Sequence, residues 1–229
     1  MRTIHAITSW ADLAVLIEQI AEEPWIFRGE AADGQALLPT AGRVGTYPGA
    51  ARRTAYRLED EQHALELFKK QAAPHVAHRP ASDLEWLVIA QLHGMHPRLL
   101  DWSESILVAA YFAAEFAGTR GDAVIYAVKG LRAVTPAEEE DPFGIAEAGV
   151  YQPPRLSARI AAQRNVFTMH PDPTCPFEPP DLVKWPISGE TCARIKLVLD
   201  ACAINESALF PELDGLARYL GWRYRWGRL

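Results

Sequence analysis

Apolar positions change period along the chain, and each change marks an element. Trp10, Leu13, Leu16, Ile17 and Ile20 recur at helical spacing behind Ser9, which suits an N-cap with Asp12 three residues on, and Pro24 stops the pattern, so a helix is predicted over about 10–22. Pro24–Gly29 is rich in aromatic and β-branched residues and closed by glycine, which predicts a short strand with Arg28 near its end. Residues 31–50 carry Gly34, Pro39, Gly42, Gly45, Pro48 and Gly49, a loop composition, with Arg43, Arg52 and Arg53 in and after it. A charged amphipathic helix follows over about 51–72. Ser82-Asp-Leu-Glu85 forms a capping box whose helix ends near Gly94.

Past a predicted loop, His93–Trp102, the segment Glu104–Phe116 reads as a helix in which Ala109, Ala113 and Ala117 repeat every four residues, a stripe that lets another backbone approach closely. Asp122–Lys129 is the clearest strand. The acidic, proline-bearing stretch 130–155 reads as a surface lid or mobile loop, Arg159–Met169 as a strand or strand pair, and helices are predicted near 191–203 and 211–221. There is no internal repeat, low-complexity segment or linker. The pattern predicts one α+β domain over 1–229, with a small central sheet flanked by helices.

Composition narrows the class. At 229 residues and 49% hydrophobic, the chain can bury a large core. Three cysteines, Cys175, Cys192 and Cys202, form no Cys-x-x-Cys pair, which suits a reducing compartment. The N-terminus lacks the apolar core of a secretory leader, and the longest apolar run, Ile106–Ala114, is too short to span a bilayer, so a cytoplasmic protein without membrane association is expected. The formal charge of −6 argues against a generally basic surface, but after Asp214 there is no acid while Arg218, Arg223, Arg225 and Arg228 follow. In the tail Gly221–Leu229, Arg223, Arg225, Trp226 and Arg228 interleave cations with aromatics, a composition for gripping phosphates and stacking bases. The alternative is a terminal arm whose aromatics pack down.

A charge inside apolar sequence must be paired or used, which singles out Arg28, Arg98 and Asp101. In a tight loop, Arg98 and Asp101 could form a salt bridge. His75/His78 and His93/His96 have metal-compatible spacing, yet Pro74 and Pro97 interrupt both pairs and no acidic or thiol partner is near, so no metal is expected. Nucleophile-elbow, P-loop and Rossmann glycine patterns are missing from the sequence.

Seven blocks in order, Trp25–Glu30, Ala90–Gly94, Arg98–Ser103, Ala110–Ala113, Arg159–Gln163 with Phe167-Thr168, Lys196, and Leu209–Gly215, resemble the FRG domain family. His96-Pro97 stands where that family usually has Pro-Thr, and Leu92 replaces a frequent histidine, so if the family's activity needs a hydroxyl there, either this copy is altered or the role falls to His93 or His96. The order of an arginine on an early strand, a Tyr-Phe pair after a small-residue helix and a polar residue on a late strand is similar to that of ADP-ribosyltransferases, an analogy at the level of fold. It implies NAD as substrate, with Arg28 on the pyrophosphate, Tyr111 and Phe112 against nicotinamide, Gln163 or Glu30 at the ribose, and Arg98 and Asp101 as further NAD-binding residues. Each has a plainer counterpart: an Arg28–Asp101 ion pair, core aromatics at 111–112, and Gln163 capping a loop. The resemblance implies a site between the Phe27–Glu30 strand and the Arg98–Trp102 loop. An effector of toxin or phage-defence type is then expected, acting on a nucleic-acid or protein acceptor, with an antitoxin as a candidate partner. The other reading is a non-catalytic module that recognises nucleic acid or a nucleotide.

Overall fold

A computed structural model of the chain describes residues 2–3, 6–31, 36–43, 55–76 and 79–227. Arg52, Arg53, His78 and Arg228 lie outside the described residues, as does the beginning of the helix expected from 51. The strands are β1 (Arg2–Thr3), β2 (Ile26–Ala31), β3 (Leu99–Ser103), β4 (Ala123–Val128), β5 (Gly149–Tyr151), β6 (Asn165–Met169) and β7 (Val183–Ile187). They form a mixed sheet in the order β1-β7-β4-β2-β3-β6-β5. β1 runs parallel to β7 and the other neighbours are antiparallel.

One face of the sheet carries α1 (Trp10–Ile20), α4 (Ile106–Arg120) and α7 (Gly189–Ala201), packed on Phe27, Ile125 and Trp185. Ser9 caps α1 by accepting from the Asp12 amide, as its spacing suggests. The other face holds Leu100, Trp102, Val124 and Tyr126 under Leu37 and Phe177. A third cluster joins α2 (Leu58–Ala72) and α3 (Asp83–Leu92) to Leu99 of β3 and to Phe167 and Met169 of β6. The Ser82 capping box differs in one bond: the Glu85 amide donates to Ser82 Oγ, while the Glu85 carboxylate accepts from the Ala81 amide.

The alanine stripe of α4 finds its backbone partner at Gly29. A Cβ added there would lie 1.9 Å from Ala109 O and 2.5 Å from Ala113 N, so only a glycine lets α4 rest on β2.

Three expectations are corrected. The stretch 130–155 is folded: α5 (Pro136–Glu140) is closed by a Thr135–Glu138 capping box, β5 pairs with β6, and Ile145 and Tyr151 are buried. Its acidity hid this, because the glutamates at a helix N-terminus are there for the amides and for Arg132. Arg159–Met169 is a helix, α6 (Ala158–Gln163), a left-handed turn at Arg164 (φ 49°, ψ 46°) and then β6. The predicted loop His93–Trp102 ends early, since Leu99 already starts β3.

The C-terminal arm is helical. After α8 (Glu206–Leu209), α9 (Leu213–Arg225) takes in Trp222–Arg225, with Trp222 stacked on Tyr219 and Trp226 as C-cap. Among the described residues no helix is long and apolar enough to cross a membrane.

Candidate functional site

β2 and β3 meet at one residue pair, Phe27 with Ser103, and then part, whereas β2 stays paired to β4 along its whole length. The split leaves Arg28–Ala31 facing Asp101 across a cavity of about 390 Å³, walled by Phe112 of α4, by Gln163 and by Phe210. A recess of about 210 Å³, reached past Gln91 and His96, shares Asp101, Arg159, Gln163 and Asn165 with it, so the two hollows meet at these four residues.

Arg28 bridges the split. Its Nη1 donates to the Asp101 carbonyl at 2.7 Å and to Asp101 Oδ1 at 2.5 Å, while Nε and Nη2 donate to Glu30 Oε1 at 2.9 and 2.7 Å. The guanidinium thus takes up a β3 carbonyl that the parting strands leave on that side. Glu30 Oε1 also accepts from Arg43 Nη2 at 3.0 Å. Arg43 follows a 3₁₀ turn, Thr40–Gly42, held close because a Cβ on Gly42 would lie 1.8 Å from Pro173 O. Burial opposes charge on Arg28, but Asp101 and Glu30 outweigh it and raise its pKa further. Asp101 keeps 47% of its side-chain surface exposed. Desolvation, the largest single effect, pushes its carboxyl up, but the attraction and hydrogen bonding of Arg28, with Arg159 adding to them, together hold it below the usual carboxylate range. Gln91 Nε2 reaches Asp101 Oδ1 at 3.3 Å, while Gln91 Oε1 is buried without a hydrogen-bond partner among the described residues.

Of the residues singled out in the sequence, Arg28, Glu30, Asp101, Phe112 and Gln163 come together at this cleft. Arg98 does not. It is 1% exposed and bound to Glu61 of α2 through its backbone amide (2.8 Å), Nε (3.2 Å) and Nη2 (3.0 Å), with Tyr56 Oη 2.6 Å from Nη2. The expected Arg98–Asp101 bridge is replaced by this buried pair, and Arg98 is removed from the NAD-binding set. Two residues of β3 separate the arginine from the aspartate, and Leu99 and Leu100 face opposite cores.

Tyr111 is also displaced. It is 2% exposed in the core under α4, with its hydroxyl unpartnered among the described residues, and burial pushes the phenol pKa up. Its neighbour Phe112, ring centroids 5.5 Å away, supplies the cleft's aromatic wall together with Phe210. Gln163 ends a helix, not a strand, and its amide Nε2 donates to the Leu209 carbonyl at 2.9 Å, the loop-capping role. Ser103 Oγ donates to the Gln163 carbonyl at 2.7 Å and accepts from the Ser105 amide, tying α6 and the start of α4 to β3.

The described arginines of the tail, Arg223 and Arg225, are not among the residues lining the cleft. Arg225 and Trp226 are exposed at the end of α9, and Arg223 sits 5.8 Å from the Tyr219 ring. Sequence reasoning gave no role to Arg159 and Asn165, which line both hollows. The signal for Arg159 was its place in a motif block, and for Asn165 there was none.

The FRG domain model matches residues 23–120. The match takes in β2, α3, β3 and α4, which supply Arg28, Glu30, Asp101 and Phe112, and it ends before α6, β6 and Phe210 complete the cleft. No curated protein and no solved structure matches the chain.

Proposed function

We propose that the split between β2 and β3 is a nucleotide-binding cleft and that the protein is an ADP-ribosyltransferase-like enzyme using NAD. The observation that carries this reading is the parting of the two strands around a clamped Arg28, with carboxylates, aromatics and amides converging on one cavity of ligand size. Phe112 and Phe210 give an apolar surface for a flat ring, and Gln163 and Asn165 supply amides for hydroxyls. Two hollows meeting at one junction suit a ligand with two ends.

In the proposed reaction the bond between ribose C1 and the nicotinamide nitrogen breaks and nicotinamide leaves with the bonding pair. The acceptor's oxygen or nitrogen forms the new bond to C1, and its proton passes to a carboxylate. Asp101, half exposed and held ionised by Arg28, and Glu30 would supply the negative charge that a developing cation needs. A nucleic-acid acceptor is favoured over a protein one by the exposed Tyr224, Arg225 and Trp226 on α9. An effector of toxin or phage-defence type, restrained by an antitoxin, fits such an activity.

The second reading, a module that recognises nucleotides without cleaving them, is favoured by Arg28 itself, since four of its hydrogen bonds already go to protein acceptors. Incubating the purified protein with NAD separates the two. Nicotinamide release that Asp101→Asn suppresses supports the transferase. Saturable NAD binding with NAD recovered intact supports the module, and no binding overturns the transferase and any module that takes NAD, leaving a module that binds nucleic acid.

A further inference from the structure

Among the described residues of this cleft, Arg159 is a cation without a salt-bridge partner. Arg28 is paired with Glu30 and Asp101, Arg43 with Glu30 and Arg98 with Glu61. Among the described residues no acidic oxygen lies within salt-bridge distance of Arg159. Its Nη1 donates to the Leu92 carbonyl at 2.9 Å, its guanidinium carbon lies 4.6 Å from the Phe210 ring centroid, and its Nε is buried with no hydrogen-bond partner among the described residues. It projects from α6 to the junction where the two hollows meet. A partly buried guanidinium with an unused donor, whose nearest acid, Asp101, acts on it only from beyond salt-bridge distance, is an unfavourable arrangement unless an anion joins it.

We propose that Arg159 is the anion anchor of the cleft, binding the phosphate or pyrophosphate group of a nucleotide at the junction of the two hollows. Arg28 then acts as a positioning residue that holds Glu30 and Asp101 across the split. The inference rests on the nucleotide reading in taking the anion to be a pyrophosphate. The geometry supports it independently, because Arg159 lines both hollows and lies against the Phe210 ring, while the unpartnered Gln91 Oε1 in the recess can accept from a hydroxyl of the same ligand. Burial lowers the Arg159 pKa, and Asp101 raises it only in part, so an arriving anion restores what burial takes away.

Isothermal titration with inorganic pyrophosphate, ADP-ribose and nicotinamide riboside tests the proposal on the full chain. The wild type should bind the two phosphorylated probes, and Arg159→Gln should weaken both by about tenfold or more, the loss typical of hydrogen bonds to a charged group. Arg159→Lys should recover part of that loss, and nicotinamide riboside, which has no phosphate, should not respond to either change. ADP-ribose binding that Arg159→Gln leaves unaltered overturns the anchor while the nucleotide cleft stands. Arg159-dependent binding of pyrophosphate without binding of ADP-ribose or NAD supports the anchor and overturns the NAD reading. Failure of every probe to bind the wild type overturns both. Should Arg159→Gln not fold, phenylglyoxal labelling of the wild type decides: pyrophosphate should protect Arg159 from modification, and labelling unaffected by pyrophosphate overturns the proposal.

Discussion

Glu61 and Arg98 are 6% and 1% exposed, so neither charge is screened by water, and each depends on the other and on Tyr56. Glu61→Gln leaves the guanidinium with no counter-charge and should lower stability by about 3–5 kcal/mol, read from urea denaturation. Asp101→Asn is the contrasting case. Its side chain is half exposed, Arg28 keeps Glu30, and an amide oxygen still accepts from Nη1. The cost should stay within about 1 kcal/mol, while nicotinamide release falls steeply for want of a charge beside the reacting ribose. A stability loss as large as that of Glu61→Gln would make Asp101 a structural anchor. Gly29→Ala probes the remaining member of the Phe-Arg-Gly triplet. Because the new methyl would meet the α4 backbone at Ala109 and Ala113, not a side chain that can turn aside, α4 must shift, at a cost of about 3 kcal/mol. In that triplet Phe27 enters the core, Arg28 spans the split and Gly29 admits α4.

At the scale of elements, β6 ends in a buried polar chain that gives the fold a pH response. Trp102 Nε1 donates to Thr168 Oγ1 at 2.9 Å, and the same hydroxyl shares a hydrogen bond of 2.8 Å with His170 Nε2. Burial, with Arg28 and Arg98 nearby, lowers the His170 pKa from 6.5 to about 4. The folded state therefore binds this proton less readily than the unfolded chain. Stability from His170 is complete above pH 6.5 and declines as pH falls toward 4, by about 3 kcal/mol in all. Glu138, held at about 2 by hydrogen bonds from Arg132 and Thr135, loses its contribution only below its own ordinary value of 4.5. Melting temperatures between pH 7 and pH 4.5 should fall more steeply for the wild type than for His170→Gln, and equal slopes would remove His170 as the cause. The same element shows why part of the fold was legible and part was not. Caps at Ser9 and Ser82 and the period of α1 and β4 are local signals, and the structure keeps them. The helix α6 was masked by its six-residue length and by running straight into β6 through a left-handed arginine. Ordinary turn chemistry puts glycine or asparagine at such a position, and here the Ser103 hydroxyl donating to the Gln163 carbonyl and the Glu104 amide donating to the Arg164 carbonyl hold the turn instead.

Over the whole molecule, the site depends on contacts that no local pattern encodes: Arg28 with Asp101 across the sheet, and Phe210 closing a wall built from α4. The sequence grouped Arg28 with Asp101 because both are charges in apolar surroundings. It placed Arg98 and Tyr111 with them wrongly, because alternation of faces is visible only once the strand and helix bounds are known. The C-terminal charge asymmetry belongs to this scale as well. The net charge is −6, yet the last turn of α9 presents Arg225 with Tyr224 and Trp226, which are 72% and 55% exposed. The other end of α9 is fixed against the cleft wall, since a Cβ on Gly215 would lie 2.0 Å from Phe210 O and Arg218 lies over the Phe210 ring. A strand of nucleic acid held on the last turn would therefore lie about 15 Å along the helix from the Gly215 contact with that wall. Replacing Arg225 by Glu and Trp226 by Ala together removes one phosphate contact and one stacking surface. Both side chains are exposed, so the melting temperature should stay within a degree or two, as is usual for surface changes. Affinity for single-stranded RNA should fall about tenfold or more, and its dependence on salt should become shallower because fewer counterions are released. Unchanged affinity and salt slope, measured by fluorescence anisotropy from low to high salt, would take α9 out of acceptor binding and leave a protein acceptor as the reading to pursue.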